Sequence, residues 1–189
     1  MSTLQLIKRL RELNIKFIDP TILASILGTG NKNSIYKTIN RLFKNGVIRK
    51  IYKGKFVLED SDVNDFEIAN YIVNPSYISL ESALSFYGIL PQFPYSITSI
   101  TVDRSKNIDK YEYTTISKKL FWGYQKNKNF LIATPEKALA DYLYLASKKL
   151  RTQDISEWDL SVINKDNFKE ICSKITFEPF KKLIKKLKI

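Results

Sequence analysis

Apolar residues recur at helical spacing in three segments near the start of the chain, which predicts three short amphipathic helices. The first runs from Thr3 to Leu13. The second begins at Asp19-Pro20, because Asp accepts hydrogen bonds from first-turn amides and Pro suits the first helical position. The third extends from about Lys32 to Asn45 and is ended by Gly46. The three apolar stripes are formed by Leu6, Ile7, Leu10 and Leu13, by Ile22, Leu23, Ile26 and Leu27, and by Ile35, Ile39, Leu42 and Phe43.

After Gly46 the pattern changes to that of a β-hairpin, with two strands over residues 47–58 joined near Lys53-Gly54. Three helices followed by a basic hairpin is the element order of a winged helix-turn-helix, whose third helix fits the major groove of DNA. The residues on that helix that we expect to read bases are Asn33, Tyr36, Lys37 and Asn40. The residues that we expect to contact phosphate are Lys32, Arg41, Lys44, Arg49, Lys50, Lys53 and Lys55.

The remainder of the chain predicts an α+β fold. Ser79 is placed to cap a helix that ends near Tyr87. Thr134-Pro135 starts a second, largely apolar helix, with Glu136 where the helix dipole favours an acid. Runs of β-branched and aromatic residues predict strands at 96–103, 110–117, 120–124 and 130–133.

A helical tail is predicted over residues 151–189. Its apolar stripe consists of Phe180, Leu183, Ile184 and Leu187, and a run of lysines surrounds it. We interpret this stripe as the docked side of a helix whose lysine face is solvated. A second phosphate contact, a dimer contact and a contact with an acidic partner are the alternatives.

The positive charge is concentrated at the start of the chain, whose formal net charge is +12. Residues 1–60 hold 12 Lys and Arg against 4 Asp and Glu, residues 61–150 hold 10 against 9, and residues 151–189 hold 9 against 6. Such a concentration favours an anionic partner, with nucleic acid as the first candidate. We therefore predict a DNA-binding winged helix domain at 1–60 and an α+β domain at 61–189.

Composition excludes several kinds of chemistry, because histidine is absent and Cys172 is the only cysteine. His-dependent catalysis, disulfides, and zinc or iron–sulfur sites built on several cysteines are ruled out. We predict no metal and no cofactor, and Cys172 is interpreted as a small apolar side chain. The sequence begins without a signal-like stretch and has no apolar run of about 18 residues, so we expect a cytoplasmic protein with no membrane contact.

Four segments of the second domain resemble the AbiEi family of antitoxins and transcriptional regulators of type IV toxin–antitoxin systems. These segments are Tyr77–Leu84 with Tyr87-Gly88, Tyr95–Thr101, Phe121–Tyr124, and Ile132–Leu139 with Asp141. The resemblance spans about residues 74–145 and implies an N-terminal domain that binds inverted repeats and represses its own operon. It also implies a C-terminal domain that counteracts a nucleotidyltransferase-like toxin without a stable complex. Inverted repeats are compatible with a homodimer on double-stranded DNA.

Within the resembling segments, the candidates for the antitoxin role are Ser79, Glu81, Thr134, Glu136, Lys137 and Asp141. A carboxylate-dependent nuclease or other nucleic-acid enzyme that uses Glu81, Glu136 or Asp141 is one alternative. Helix-start positions explain Glu81 and Glu136 without catalysis, so we assign no catalytic residue and predict no enzymatic activity. A winged-helix protein–protein adaptor is the other alternative.

Overall fold

The computed structural model describes residues 2–187, and the protein is a mixed α+β structure. The chain forms two compact units. The first ends at Asn64 and the second begins at Asp65. Residues 1, 188 and 189, which the predicted domains and the predicted tail include, lie outside the described part.

The N-terminal unit packs three helices against a small antiparallel sheet. The helices are α1 (Thr3–Glu12), α2 (Pro20–Leu27) and α3 (Lys32–Lys44), and the strands are β1 (Phe17–Ile18), β2 (Ile48–Tyr52) and β3 (Lys55–Leu58). The strands lie in the order β1-β3-β2. The predicted helices and hairpin are present. The two-residue strand β1 was not predicted, because so short a segment has no periodicity to detect.

Local capping fixes where the helices of this unit begin. Asp19 accepts hydrogen bonds from the amides of Thr21 and Ile22 at 2.8 and 2.9 Å, which confirms the predicted start of α2. Asn31 likewise accepts one from the amide of Ser34 at 3.2 Å and caps α3.

The C-terminal unit contains a six-stranded mixed sheet with helices on both faces. Its helices are α4 (Asp65–Ile72), α5 (Leu80–Phe86), α6 (Pro135–Ser147), α7 (Lys165–Ser173) and α8 (Glu178–Leu187). Its strands are β4 (Ser76–Ile78), β5 (Ile97–Thr101), β6 (Lys106–Ile108), β7 (Tyr111–Thr115), β8 (Tyr124–Asn127) and β9 (Phe130–Ala133). The order is β6-β7-β5-β4-β9-β8, and the pairs β5–β7 and β4–β9 are parallel.

Side-chain hydrogen bonds show which helix covers which face of this sheet. Thr98 of β5 exchanges two bonds with Ser82 of α5, at 2.8 and 2.9 Å. Thr98 pairs with Glu112 of β7, so the next residue, Tyr113, points to the other face of the sheet. The hydroxyl of Tyr113 donates a hydrogen bond to the carbonyl of Ala69 in α4 at 2.7 Å. Helices α4 and α5 therefore lie on opposite faces.

Helix α6 forms the centre of the C-terminal unit, since residues 136–146 are all buried. Phe168 of α7 and Phe180 and Leu183 of α8 are buried as well. The apolar stripe of the tail thus docks through Phe180 and Leu183, while Lys181, Lys182, Lys185 and Lys186 are exposed. No helix within residues 2–187 has the length and apolar character needed to cross a membrane.

Two predicted elements of this unit are wrong. The predicted strand at 120–124 is instead a 3₁₀ turn at Lys118–Leu120 followed by β8, because Ser117 caps the turn and Gly123 adopts a φ of +76°. The predicted helical tail has no regular structure at 151–159. There Asp154 accepts hydrogen bonds from the amide and the hydroxyl of Ser156, and such local bonds compete with helix formation.

Replacing Asp19 by alanine removes the acceptor of two first-turn amides, and we expect the free energy of unfolding to fall by about 1 kcal/mol. Urea denaturation followed by circular dichroism measures the change. Asp19→Asn keeps an acceptor oxygen and serves as the control, with stability close to that of the original protein. Equal losses in both variants would contradict the capping role.

Candidate functional site

The predicted base-reading residues lie together on the solvent-facing side of α3. Asn33, Tyr36, Lys37 and Asn40 are exposed, as are Lys32, Arg41 and Lys44, while Ile35, Thr38, Ile39 and Leu42 are buried. One side of the helix thus builds the core of the unit and the other presents amide, hydroxyl and ammonium groups to solvent. Phe43, predicted to be in the apolar stripe, is 50% exposed and contacts Phe56 edge to face with ring centroids 6.5 Å apart.

The hairpin places a second group of cations in solvent. Arg49, Lys50 and Lys53 are exposed, and Lys55 is half-buried. The turn is permitted by Gly54, whose φ of +68° is in the left-handed region that favours glycine.

Three acidic residues of the N-terminal unit are engaged away from α3 and the hairpin. Asp60 pairs with Arg11, Glu12 lies 3.7 Å from Arg9, and Asp19 caps α2. On α3 and the hairpin, the cations that form no ion pair with any described acidic side chain are Lys32, Lys37, Arg41, Lys44, Arg49, Lys50 and Lys53. Helix α3 and the hairpin therefore carry uncompensated positive charge, and we call these seven residues the cationic set.

The C-terminal unit contains a buried polar centre formed by Tyr77, Ser79, Lys137 and Asp141. Lys137 and Asp141 lie one turn apart on α6 and form an ion pair, and their side chains are 1% and 3% exposed. Tyr77 and Ser79 each donate a hydrogen bond to Asp141 Oδ2 at 2.9 Å. Lys137 Nζ also donates to the hydroxyl of Tyr77 at 3.2 Å. Every polar group of the centre is therefore hydrogen-bonded, as burial requires.

Aromatic residues enclose the lysine of this centre. The ring of Trp122 lies 5.0 Å from Lys137 Nζ, and Tyr77 stacks on Tyr124 with centroids 4.7 Å apart. A Cβ atom at Gly123 would lie 2.8 Å from Lys137 Cγ, so only glycine fits this close approach. The segment Phe121–Tyr124 thus covers the buried charge.

Burial changes the proton affinities in the centre. It raises the pKa of Asp141, and Lys137, Ser79 and Tyr77 counteract that rise. Burial, followed by the nearby charge of Asp141, raises the pKa of Tyr77 well above its ordinary value. Tyr77 therefore stays protonated and acts as a hydrogen-bond donor.

The six residues proposed for the antitoxin role do not form one site. Ser79 occupies the N-cap position of α5 but makes no side-chain capping bond, because its hydroxyl is bound to Asp141; the predicted cap is wrong. Thr134 accepts a bond from the amide of Lys137 at 3.3 Å, which confirms the predicted cap of α6. Glu136 is buried and accepts a bond at 3.0 Å from the amide of Asn164, the residue that caps α7.

Glu81 lies in the first turn of α5, as predicted, and it also forms an ion pair that the sequence does not indicate. Arg151 Nε lies 2.6 Å from Glu81 Oε1, and a second nitrogen of Arg151 binds Glu112 of β7. Arg151 thus connects α5 to the sheet. The residues are far apart in sequence and follow no motif, so no local signal identifies the contact.

Other candidate chemistry is limited in this structure. Among residues 2–187, no three His, Cys, Asp or Glu side chains are grouped so as to hold a metal ion. Burial raises the pKa of Cys172 to about 12, which keeps the sulfur a thiol.

Comparison of the sequence with models of known protein families finds no match, and comparison with curated proteins finds none.

Replacing Lys137 by methionine leaves Asp141 buried without its counter-charge, and we expect the free energy of unfolding to fall by roughly 3 to 5 kcal/mol. The double variant Lys137→Met/Asp141→Asn should lose less than the single one, because no unpaired charge remains. Thermal and urea denaturation of the variants measure this coupling.

The exposed pair of Lys174 and Glu170, also one turn apart, provides the matched control. Lys174→Met should change the free energy of unfolding by less than about 1 kcal/mol. A loss for Lys137→Met no larger than that of this control would show that the buried pair does not stabilise the unit.

Proposed function

We propose that the protein is a DNA-binding transcriptional regulator and antitoxin of the AbiEi type, which represses its own operon and neutralises a nucleotidyltransferase-like toxin. In this proposal the N-terminal unit is a winged helix-turn-helix, with α3 as recognition helix and the β2–β3 hairpin as wing. The single observation that carries the proposal is the cationic set, which lies on α3 and the hairpin without acidic partners among the described residues.

The geometry of α3 supports direct reading of bases. Asn33, Tyr36, Lys37 and Asn40 are spaced three, four and seven residues apart, so they share one face of the helix. Asn pairs with adenine through two hydrogen bonds, and Lys donates to guanine. Cations on the hairpin and at the edges of α3 would neutralise phosphates, which gives affinity without sequence information.

The C-terminal unit is proposed to carry the antitoxin role. Because Ser79, Lys137 and Asp141 are buried, we infer that they maintain the shape of the unit and do not contact a toxin. The arrangement of the carboxylates favours this role over a nuclease, since Asp141 is bound to Lys137 and Glu81 to Arg151. Binding of inverted repeats would bring two copies together on the operator, and the proposed compartment is the cytoplasm.

Lys37→Ala and Asn40→Ala test the recognition helix. Each should reduce the preference for the DNA upstream of the protein's own gene over a scrambled duplex by about tenfold or more. Fluorescence anisotropy with both duplexes measures the preference. Lys8→Ala, which removes one exposed charge from α1, is the control and should leave it unchanged.

The hairpin variant Arg49→Ala/Lys53→Ala should behave differently from the two α3 variants. It should weaken binding to both duplexes and reduce the slope of log affinity against log salt by about 1.8, the value for two phosphate contacts. Unchanged sequence preference in both α3 variants would overturn the assignment of the recognition helix.

The antitoxin role is tested by co-expression of the full chain with a nucleotidyltransferase reading frame adjacent to its gene. The variant Lys37→Ala/Asn40→Ala should lose repression of a promoter reporter and still restore growth. Lys137→Met should fail to restore growth if it unfolds the C-terminal unit. Growth inhibition that the unaltered protein does not relieve would overturn this half of the proposal.

A further inference from the structure

The C-terminal unit contains a groove that includes none of the residues proposed to bind DNA or to form the buried polar centre. It has a volume of about 730 Å³ and is formed by the turn after β7, by α6, and by the segment that joins α7 to α8. Its volume falls in the range of sites that bind small molecules. No role in the proposed DNA contact or in the buried polar centre accounts for it.

The floor of the groove is apolar and aromatic. Tyr144 and Phe177 meet edge to face with centroids 5.7 Å apart, and Leu120, Ile175 and Pro179 complete the floor. Tyr144 is 8% exposed, whereas Phe177 is 36% exposed with Lys148 Nζ 5.5 Å from its ring centroid, so part of the Phe177 ring remains accessible. An exposed aromatic side chain in a groove offers a stacking partner to a flat apolar ligand.

The rim of the groove is cationic. Lys119 and Lys174 line it, and Lys148 Nζ lies 4.3 Å from the centroid of the Tyr144 ring. Lys174 is paired with Glu170 at 2.8 Å, and Glu178 of the groove is paired with Lys181 at 3.0 Å.

These pairings leave an excess of positive charge at the rim. Each of the two carboxylates is matched by one lysine, while Lys119 and Lys148 have no ion pair within the described part of the chain. The hydrogen bond from Lys181, together with the nearby charges of Lys181, Lys182 and Lys185, lowers the pKa of Glu178. The hydroxyls of Ser117 and Thr176 add hydrogen-bonding groups to this rim.

We propose that this groove binds a nucleoside phosphate, with the base against Phe177 and Leu120 and the phosphates between Lys119 and Lys174, which exchanges its exposed partner Glu170 for the ligand. The combination of features decides the ligand class: an inorganic polyanion would leave the aromatic floor unused, and a purely apolar ligand would leave the cationic rim unpaired. The inference goes beyond the proposed function and does not depend on it.

Isothermal titration of the full chain with ATP, adenosine and tripolyphosphate tests the proposal. ATP should bind at least tenfold more tightly than either fragment, because it alone uses both the floor and the rim. Phe177→Ala should weaken ATP binding about tenfold and leave tripolyphosphate binding unchanged. Lys119→Gln/Lys174→Gln should weaken ATP and tripolyphosphate binding and leave adenosine unaffected.

Two control variants separate this site from general attraction of anions. Lys165→Gln/Lys169→Gln removes two exposed lysines of α7 outside the groove, and Arg49→Ala/Lys53→Ala removes two from the proposed wing. Both should retain the affinity for ATP. Equal binding of ATP and tripolyphosphate, an equal loss in the control variants, or absence of ATP binding at millimolar concentration would each overturn the proposal.

Discussion

The ion pair between Lys137 and Asp141 is the constraint on which the C-terminal unit depends. Two opposite charges that lie almost wholly out of water need further hydrogen bonds to offset the cost of their desolvation. Tyr77 and Ser79 supply them from β4 and its end, so this strand must lie against α6. Gly123 must pass close to the lysine stem, because any larger residue there would collide with it. One charge pair thereby fixes a strand, a helix and a loop in relation to each other.

The same constraint limits what α6 contributes to function. A helix buried over residues 136–146 has little surface left to offer to a partner, and α5, α7 and α8 contact it directly. Side chains that contact a ligand or a partner must therefore come from the segments at the ends of α6 and from the helices that cover it. The groove beside Tyr144 and Phe177 is such a place, since it forms where α6 meets the segment between α7 and α8. A rigid centre can hold the floor of this groove in a fixed geometry.

Elements whose determinants are local could be predicted from the sequence, and those that depend on distant partners could not. Asp19-Pro20 and Thr134-Pro135 mark helix starts because the capped amides lie within three residues of the cap. Ser79 has the same appearance, yet its hydroxyl is engaged by Asp141, 62 positions away. The exposed face of α3 followed from helical spacing alone. The pairing of Glu81 with Arg151 and the groove at Phe177 follow from the tertiary fold, which periodicity does not encode.

The two units differ in which of their charged side chains are paired, and this difference bears on function more than the net charge of +12 does. In the N-terminal unit, Asp60 and Glu12 pair with cations of α1, so the cationic set on α3 and the hairpin remains available to an anionic ligand. In the C-terminal unit, Glu81 and Asp141 are bound to Arg151 and Lys137. Asp141 is almost wholly buried, so it lies out of reach of a substrate proton. In the proposed function, the exposed cations bind nucleic acid and the paired carboxylates stabilise the fold of the C-terminal unit.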